Sequence, residues 1–325
     1  MNVAVLHGAV ADGSGMDEQD VLVEVETVCQ ALAALGHRPV PVPLSLSLGA
    51  AVESLRRLRP RFAFNLVESV AGKGNLISLG PLILDFLNIP FTGASADATY
   101  LTSNKLLAKR IMTLEGIDTP PWLSVEENPS GLFTPGRYIL KSAWEHASIG
   151  IDEESVLHAE GDAALRKALR IRRDMPGGPF FAEIYVDGRE FNISLLADGT
   201  GPRVLPPAEI LFDGFPPGKL RLVDYRAKWE TDSFEYRKTP RSFCFREEDA
   251  ELLGSLKKNA LQCWEVFRLR GYGRVDFRVD EKGRPWVLEV NTNPCLSPDA
   301  GFLAAAGEAG LDVTEVVARI CADLP

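Results

Sequence analysis

The run Tyr272-Gly-Arg-Val-Asp-Phe-Arg-Val279, the polar segment Asp280-Glu-Lys-Gly-Arg284 and the run Pro285-Trp-Val-Leu-Glu-Val-Asn-Thr-Asn-Pro294 decide how this chain is read. The first run alternates like a strand, Gly283 marks a turn, and Pro285 to Val290 reads as a second strand, so the spacing predicts a β-hairpin. Residues two apart on a strand share a face, which pairs Arg274 with Asp276 and Glu289 with Asn291. Oxygen donors from Asp276, Glu289 and Asn291 suit Mg²⁺, which bridges carboxylates to substrate phosphates. The same spacing also suits a solvated hairpin with scattered charges.

Upstream, Tyr138-Ile-Leu-Lys-Ser142 reads as a strand with Lys141 among apolar neighbours. An ammonium there requires exposure on one face or an anionic partner such as phosphate. The following loop, Trp144-Glu-His-Ala-Ser-Ile-Gly150, has small residues that let backbone N–H groups approach phosphate oxygens, although a plain turn fits it too. Phe180 to Val186 and Arg189 to Leu196 read as strands around the turn Asp187-Gly188, with Glu183 and Glu190 on either side. These acids suit a ribose or adenine edge, or plain solvent. A helix is predicted from Ser103, as its N-cap, to Gly116, carrying Lys105, Lys109 and Arg110. The run from Asp213 to Arg241 is polar, rich in Pro and Gly and without regular periodicity, and it holds Asp224-Tyr-Arg-Ala-Lys-Trp229; such long loops are often lids. Amphipathic helices follow over Glu247 to Phe267 and Val313 to Ile320.

Toward the N-terminus, strands at Asn2–Leu6, Val40–Leu44 and Phe62–Val67 alternate with helices ending near Gly36, Leu58 and Leu87. Alternation through about Pro90 predicts a small parallel α/β domain. Ligands gather beyond the carboxyl ends of such strands, which draws Glu68 and the loop Ala71-Gly-Lys-Gly-Asn75 into consideration. Neither G-x-x-x-x-G-K-[ST] nor G-x-G-x-x-G after the first strand is present.

The 325 residues carry a formal charge of −10, with 46% hydrophobic and 25% charged residues. That balance argues against nucleic acid or an anionic membrane as the main partner, since both demand clustered Lys and Arg. The five cysteines are scattered with no C-x-x-C pair, so neither a disulfide framework nor a structural zinc site is expected, and reduced thiols in a cytoplasm are. No apolar stretch of spanning length is present, so membrane insertion is not expected.

In order along the chain, Asn65-Leu-Val-Glu68, Asn104-Lys105, Ile139-Leu-Lys141, Glu183, Glu190, Ala227-Lys228, Gly273-Arg-Val-Asp276 and Leu288-Glu-Val-Asn-Thr-Asn-Pro294 resemble the motifs of the ATP-grasp superfamily, and within it the D-alanine–D-alanine ligase family. Each motif alone is weak, but the ordered set is specific and spans nearly the whole chain. The resemblance implies an α/β protein, α+β in its ATP-grasp part, with an N-terminal parallel α/β domain over 1–95, a central subdomain over 96–182 and a C-terminal subdomain over 183–325 that holds the metal site and lid. ATP would lie between the last two. Lys105 and Lys141 would contact its phosphates beside the Ser148 loop, Glu183, Ile184, Tyr185 and Val186 would line the adenine pocket, and Glu190 would take the ribose hydroxyls. Asp276, Glu289 and Asn291 would hold a pair of Mg²⁺ ions, for which Mn²⁺ can substitute.

The same resemblance makes Lys228 a residue near the γ-phosphate and Arg274 the one that steadies a tetrahedral intermediate, a task suited to a permanently charged donor fork. It implies a cytoplasmic ligase joining a small-molecule carboxylate to an amine through an acyl phosphate, with a homodimer as its assembly. Departures from the family pattern lie at the substrate positions. Ala147 and Ser148 replace paired serines, Trp229 follows the lid lysine where tyrosine is common, and the N-terminal glutamate that holds an amine aligns with Gln19, so Glu18 or Asp20 serves after a one-residue shift. Glu18 is preferred, with Glu68 as a further substrate contact. Cys295 and Ala300 stand where a glycine and a carboxylate-binding serine are usual. The expected substrates are therefore not a pair of D-alanines; the alternatives are a true D-alanine–D-alanine ligase with an atypical pocket, and a non-catalytic nucleotide-binding or regulatory protein.

Overall fold

The computed structural model describes residues 1–11, 13–127, 133–146, 148–173, 175 and 177–325, apart from the side chains of 17 and 18. Its N-terminal part contains β1 (Asn2–Gly8), α1 (Met16–Ala34), β2 (Arg38–Leu44), α2 (Leu48–Leu58), β3 (Phe62–Leu66) and α3 (Leu79–Phe86). The strands form a three-stranded parallel sheet in the order β2-β1-β3. Val3 to Leu6 are fully buried, as a sheet covered on both faces requires. Val3, Val5, Phe62 and Phe64 meet Val28 and Leu32 of α1, whereas Ala4, Leu6 and Ala63 meet Leu55 of α2 and Leu84 of α3. Pro39, Pro41 and Pro43 alternate along β2, which is tolerable because β2 is an edge strand with an unpaired side.

Next come α4 (Ala96–Ser103) and α5 (Lys105–Leu114). Ser103 ends α4 and is not the cap of the lysine-bearing helix. The cap is Asn104, whose Oδ1 accepts from the N–H groups of Leu106 and Leu107 at 3.1 and 3.0 Å. An amide oxygen held beside the first turn satisfies two donors that the helix itself leaves open.

A four-stranded antiparallel sheet is built from β4 (Trp122–Leu123), β5 (Gly136–Ser142), β6 (Val156–Ala159) and, after α6 (Asp162–Arg172), β7 (Phe180–Ile184), in the order β4-β7-β5-β6. The larger sheet uses β8 (Arg189–Ala197), β9 (Pro202–Val204), β10 (Ala208–Ile210), β11 (Arg241–Ser242), β12 (Tyr272–Val279) and β13 (Pro285–Asn291), ordered β11-β10-β8-β12-β13 with β9 against β8. The polar run after β10 is more regular than its composition suggests. It holds α7 (Tyr225–Trp229) and α8 (Phe234–Arg237), which start where Asp224 accepts from the Ala227 N–H at 2.8 Å and Ser233 from the Tyr236 N–H at 3.0 Å. Short capping side chains, not an apolar stripe, define these helices.

The remaining helices are α9 (Ala250–Val266), α10 (Gly301–Glu308) and α11 (Val313–Ala322). The alanine-rich α10 buries Phe302, Ala305 and Ala306 in one core with Val3, Val28, Leu196, Tyr272, Val316 and Ile320. That shared core fixes α1 and the first sheet against the β12–β13 end of the molecule. A second core sets Ala98 of α4 and Met112 of α5 against β8, β12 and α9, so the helix carrying Lys105 is seated on the sheet carrying Glu289.

Gly188, between β7 and β8, lies at φ +150°, and a Cβ there would come within 2.0 Å of the Val279 carbonyl oxygen. Gly188→Ala therefore requires backbone movement where β8 and β12 begin to pair. A stability loss well above ~1 kcal/mol is expected in urea unfolding; an unchanged midpoint would contradict this packing.

Candidate active site

The predicted hairpin is present, with Arg274 opposite Asn291 and Asp276 opposite Glu289. The register shifts after Asp276, because Phe277 pairs with Val287 and leaves Leu288 unmatched. This bulge re-aims the chain, and Leu288 lies in the wall of a cleft between the two antiparallel sheets. The same cleft is lined by Lys105, Lys141, Ser148, Glu183, Ile184, Tyr185, Val186, Glu190, Lys228, Asp276 and Glu289. Residues more than 180 positions apart in the chain thus face one space.

Glu289 is surrounded by basic side chains. Its carboxylate lies 3.4 Å from Lys105 Nζ and 3.9 Å from His146 Nδ1. Burial alone would raise its pKa, but Lys105, His146, Lys228 and Arg274 outweigh that and hold it far below the usual carboxylate range. His146 has the opposite fate: burial, then Lys105, pushes it down to about 3, so the imidazole is neutral near pH 7. Burial and Arg274 also lower Lys228, against the pull of Glu289, Asp276 and Glu190. Burial opposes the charge of Arg274 as well, yet Asp276 and Glu289 prevail and raise its pKa. The guanidinium donates to both Asp276 oxygens at 2.7 and 2.8 Å, the bidentate geometry of strong ion pairs. Asn192 on β8, directly opposite Asp276, donates to the same carboxylate at 2.7 Å.

Behind the cleft floor, Glu183 is clamped between two lysines: Lys109 Nζ at 2.7 Å, and Lys141, which donates to its other oxygen. Burial would raise Glu183, but these ammonium groups keep it below its ordinary value. Lys109 is completely buried and also donates to Thr119 Oγ1 at 2.6 Å, which in turn donates to the Val287 carbonyl at 2.8 Å. Lys109→Met would leave a buried carboxylate with one ammonium where it now has two. Breaking such a pair costs about 3–5 kcal/mol, to be read by urea unfolding.

On the opposite wall Glu190 pairs with Arg278 at 2.7 Å, and Arg278 also donates to the Arg221 carbonyl at 2.6 Å. The Ser148 hydroxyl donates to the Val223 carbonyl at 2.7 Å and the Tyr185 hydroxyl to the Arg221 carbonyl at 2.8 Å. The segment 221–223 is thereby stitched across the cleft, next to Lys228 on α7.

The remaining predicted residues are placed unevenly. Asn291 follows Glu289 on the same strand face and accepts from the Asn293 N–H at 2.9 Å. Glu68, beyond β3, lies outside the cleft lining but interacts electrostatically with Arg274. Trp229 ends α7 with its ring 6.4 Å from Tyr225, and Ala300 stands at the start of α10 with its N–H on the Ser297 carbonyl at 2.9 Å. The Glu18 side chain and all of Ala147 lie outside the described residues. Lys109, His146, Asn192 and Arg278 were not singled out as site residues. For Asn192 and Arg278 a signal existed, since Glu190 and Asn192 share a face of β8, and Arg278 continues the face of Arg274 and Asp276.

Residues 135–322 match the family model described as D-ala D-ala ligase C-terminus. A D-alanine–D-alanine ligase of Marinomonas sp. is 30% identical over 325 residues, covering 98% of this chain and 94% of the relative. Another, from Synechococcus sp. (strain JA-3-3Ab), is 28% identical over 99% of this chain and 93% of the relative. Among solved structures, the D-alanine–D-alanine ligase of Bacillus anthracis complexed with ATP superposes with a TM-score of 0.71 at 20% identity, covering 99% of this chain and 96% of that one. The ligase of Coxiella burnetii gives 0.69 at 16% identity, with 99% and 94% covered. With the converging lysines and the acidic hairpin, these likenesses make the chain a member of the D-alanine–D-alanine ligase family of ATP-grasp enzymes, ADP-forming carbon–nitrogen ligases.

Proposed function

We propose that the chain joins two D-alanine molecules in an ATP-dependent reaction. The relatives at about 30% identity along almost the full length support this substrate over the expectation of a different carboxylate and amine. The observation that carries the ligase chemistry is the convergence of Lys105 and Lys228 with Glu289 and Asp276 in one cleft, where Arg274 holds the Asp276 carboxylate and shares the field of Glu289. A carboxylate attacking ATP must approach a polyanion, and fixed cations in a partly dry site lower that repulsion. The carboxylate oxygen bonds to the γ-phosphorus as ADP leaves. An amine then attacks the carbonyl carbon, phosphate departs, the ammonium proton is lost, and an amide remains.

In this reading Lys105 and Lys141 bind phosphates, with Lys141 leaving Glu183, whose charge Lys109 continues to neutralise. The backbone of Ile184, Tyr185 and Val186 faces the base, Glu190 the ribose, and Ser148 tethers the segment over the phosphates. Lys228 serves the γ-phosphate, and Arg274 the oxyanion of the tetrahedral intermediate. Asp276, Glu289 and Asn291 are hard oxygen donors on facing strands, a set that fits Mg²⁺, or Mn²⁺ in its place. When bound, the metal would supply charge neutralisation for the phosphates. Substrate contacts are assigned to Glu18, Glu68, Trp229 and Ala300, and the chain is divided at 95/96 and 182/183.

A second reading, a ligase of other substrates, draws on the loop after β13. There Ser297 Oγ donates to Asp20 at 2.9 Å, a contact internal to the protein. Incubation with Mg²⁺-ATP and D-alanine, following ADP and dipeptide, decides between the readings. Dipeptide equal to the ADP formed is expected. ADP release stimulated only by another amino acid or carboxylic acid would replace D-alanine, and no stimulated release by any member of the screen would remove the ligase reading.

A further inference from the structure

At the Glu190 end of the cleft, one buried guanidinium joins three separate parts of the chain. Arg278 on β12 is 4% exposed and stands opposite Glu190 in the β8–β12 pair. Its Nη2 lies 2.7 Å from Glu190 Oε2 and donates to the Arg221 carbonyl at 2.6 Å, while Nη1 donates to the Gly188 carbonyl at 3.2 Å. The rings of Phe212 and Tyr185 lie 5.2 and 6.0 Å from the guanidinium carbon. Glu190 belongs to β8 and Gly188 to the turn that precedes it, whereas Phe212 and Arg221 belong to the polar run between β10 and β11 that carries Lys228. The Arg221 carbonyl also accepts from the Tyr185 hydroxyl at 2.8 Å, which occupies both of its lone pairs. Leu222, the next residue, is buried with Ile139 and Tyr185. Packing alone would be served as well by an apolar side chain of similar volume, because desolvating a charge is costly.

We propose that Arg278 is a positioning residue that couples recognition of the nucleotide sugar to closure of the segment 211–240 over the cleft. The inference rests on the assignment of Glu190 to the ribose and goes beyond it by joining that contact to the lid. The ion pair engages Oε2 of Glu190, which leaves Oε1 for a sugar hydroxyl. A diol donating to the carboxylate holds it in one orientation. The carboxylate in turn holds the guanidinium, and Nη2 stays on the Arg221 carbonyl. A planar fork serves one carboxylate and two carbonyls at once, whereas an ammonium on a flexible stem cannot keep those directions. The sugar hydroxyls thereby help to set how firmly the lid, and Lys228 with it, is held over the phosphates. A nucleotide without them would still bind by its base and phosphates, yet leave the lid looser.

The test uses the full chain with Mg²⁺ and no amino acid, and compares ATP with 2′,3′-dideoxy-ATP, each at saturation. Trypsin reads the lid, which offers Lys219, Arg221, Arg226 and Lys228, since cleavage of a segment that recloses quickly follows the population of its open form. Lid cleavage is expected to be at least ~3-fold slower with ATP than with the dideoxy nucleotide, the low end for one net hydrogen bond. Arg278→Lys should bring the two rates together although the charge is kept. Glu190→Gln should level both the rates and the affinities of the two nucleotides. Equal lid cleavage in the parent overturns the coupling without recourse to any variant, so a variant that fails to fold does not protect it. A rate difference that persists in folded Arg278→Lys also overturns the role of Arg278. Failure of the underlying assignment has a different signature: equal affinities of the parent for ATP and the dideoxy nucleotide, or a difference in affinity that survives Glu190→Gln, would remove Glu190 from the ribose and the coupling with it.

Discussion

Glu289→Gln is expected to lower ADP-forming turnover by about 10²–10³-fold, the loss typical of removing one preorganised electrostatic contact. The side chain is the point where the cleft's charges meet, with Lys105 at 3.4 Å, Lys228 and Arg274 in the same field, and the neutral His146 ring at 3.9 Å. An amide of equal shape preserves packing but cancels the negative charge that balances these cations. It also removes a hard anionic donor from the set proposed for Mg²⁺, so the variant should require more Mg²⁺ for half-maximal rate. Thermal unfolding separates this effect from misfolding, because Gln is nearly isosteric. A variant that binds Mg²⁺ and releases ADP like the parent would remove Glu289 from the reaction.

Arg274→Lys is expected to cost a similar ~10²–10³-fold, although the charge is conserved. The guanidinium holds both oxygens of Asp276 at 2.7 and 2.8 Å. A lysine ammonium is a point charge on a flexible stem and cannot reproduce that planar fork. Asp276 would keep Asn192 at 2.7 Å, but its orientation would be looser, and the oxyanion would lose the fixed donor proposed for it. The loss should fall on kcat more than on the KM for ATP, since the interaction is assigned to the tetrahedral intermediate. A change confined to KM would move Arg274 from the chemistry to ground-state nucleotide binding.

The hairpin was legible because strand alternation and turn composition are local, and Arg274, Asp276, Glu289 and Asn291 fall on its two strands, although the bulge after Asp276 was not foreshadowed. The need of Lys141 for an anion was legible too, but the anion it meets is Glu183, two positions diagonal to it across the β5–β7 pair. That pairing joins segments 42 positions apart, and no local pattern encodes it. Lys109 was visible as a helix lysine; its complete burial follows only from the packing of α5 on the large sheet. Asn104 displaced Ser103 as helix cap because the chain turns between α4 and α5, where the amide reaches two backbone donors. The substrate side was least legible. Asp20 and Glu24 acquire meaning only when the shared core brings α1 against the loop that carries Cys295 and Ser297.

The central claim is that a carboxylate is activated by phosphorylation in the cleft of Lys105, Lys228 and Glu289. Turnover of D-alanine labelled with ¹⁸O in its carboxylate, followed by mass analysis of the released phosphate, tests it most directly. An acyl-phosphate route predicts one labelled oxygen transferred to phosphate for each ADP formed; dipeptide accompanied by unlabelled phosphate would contradict it.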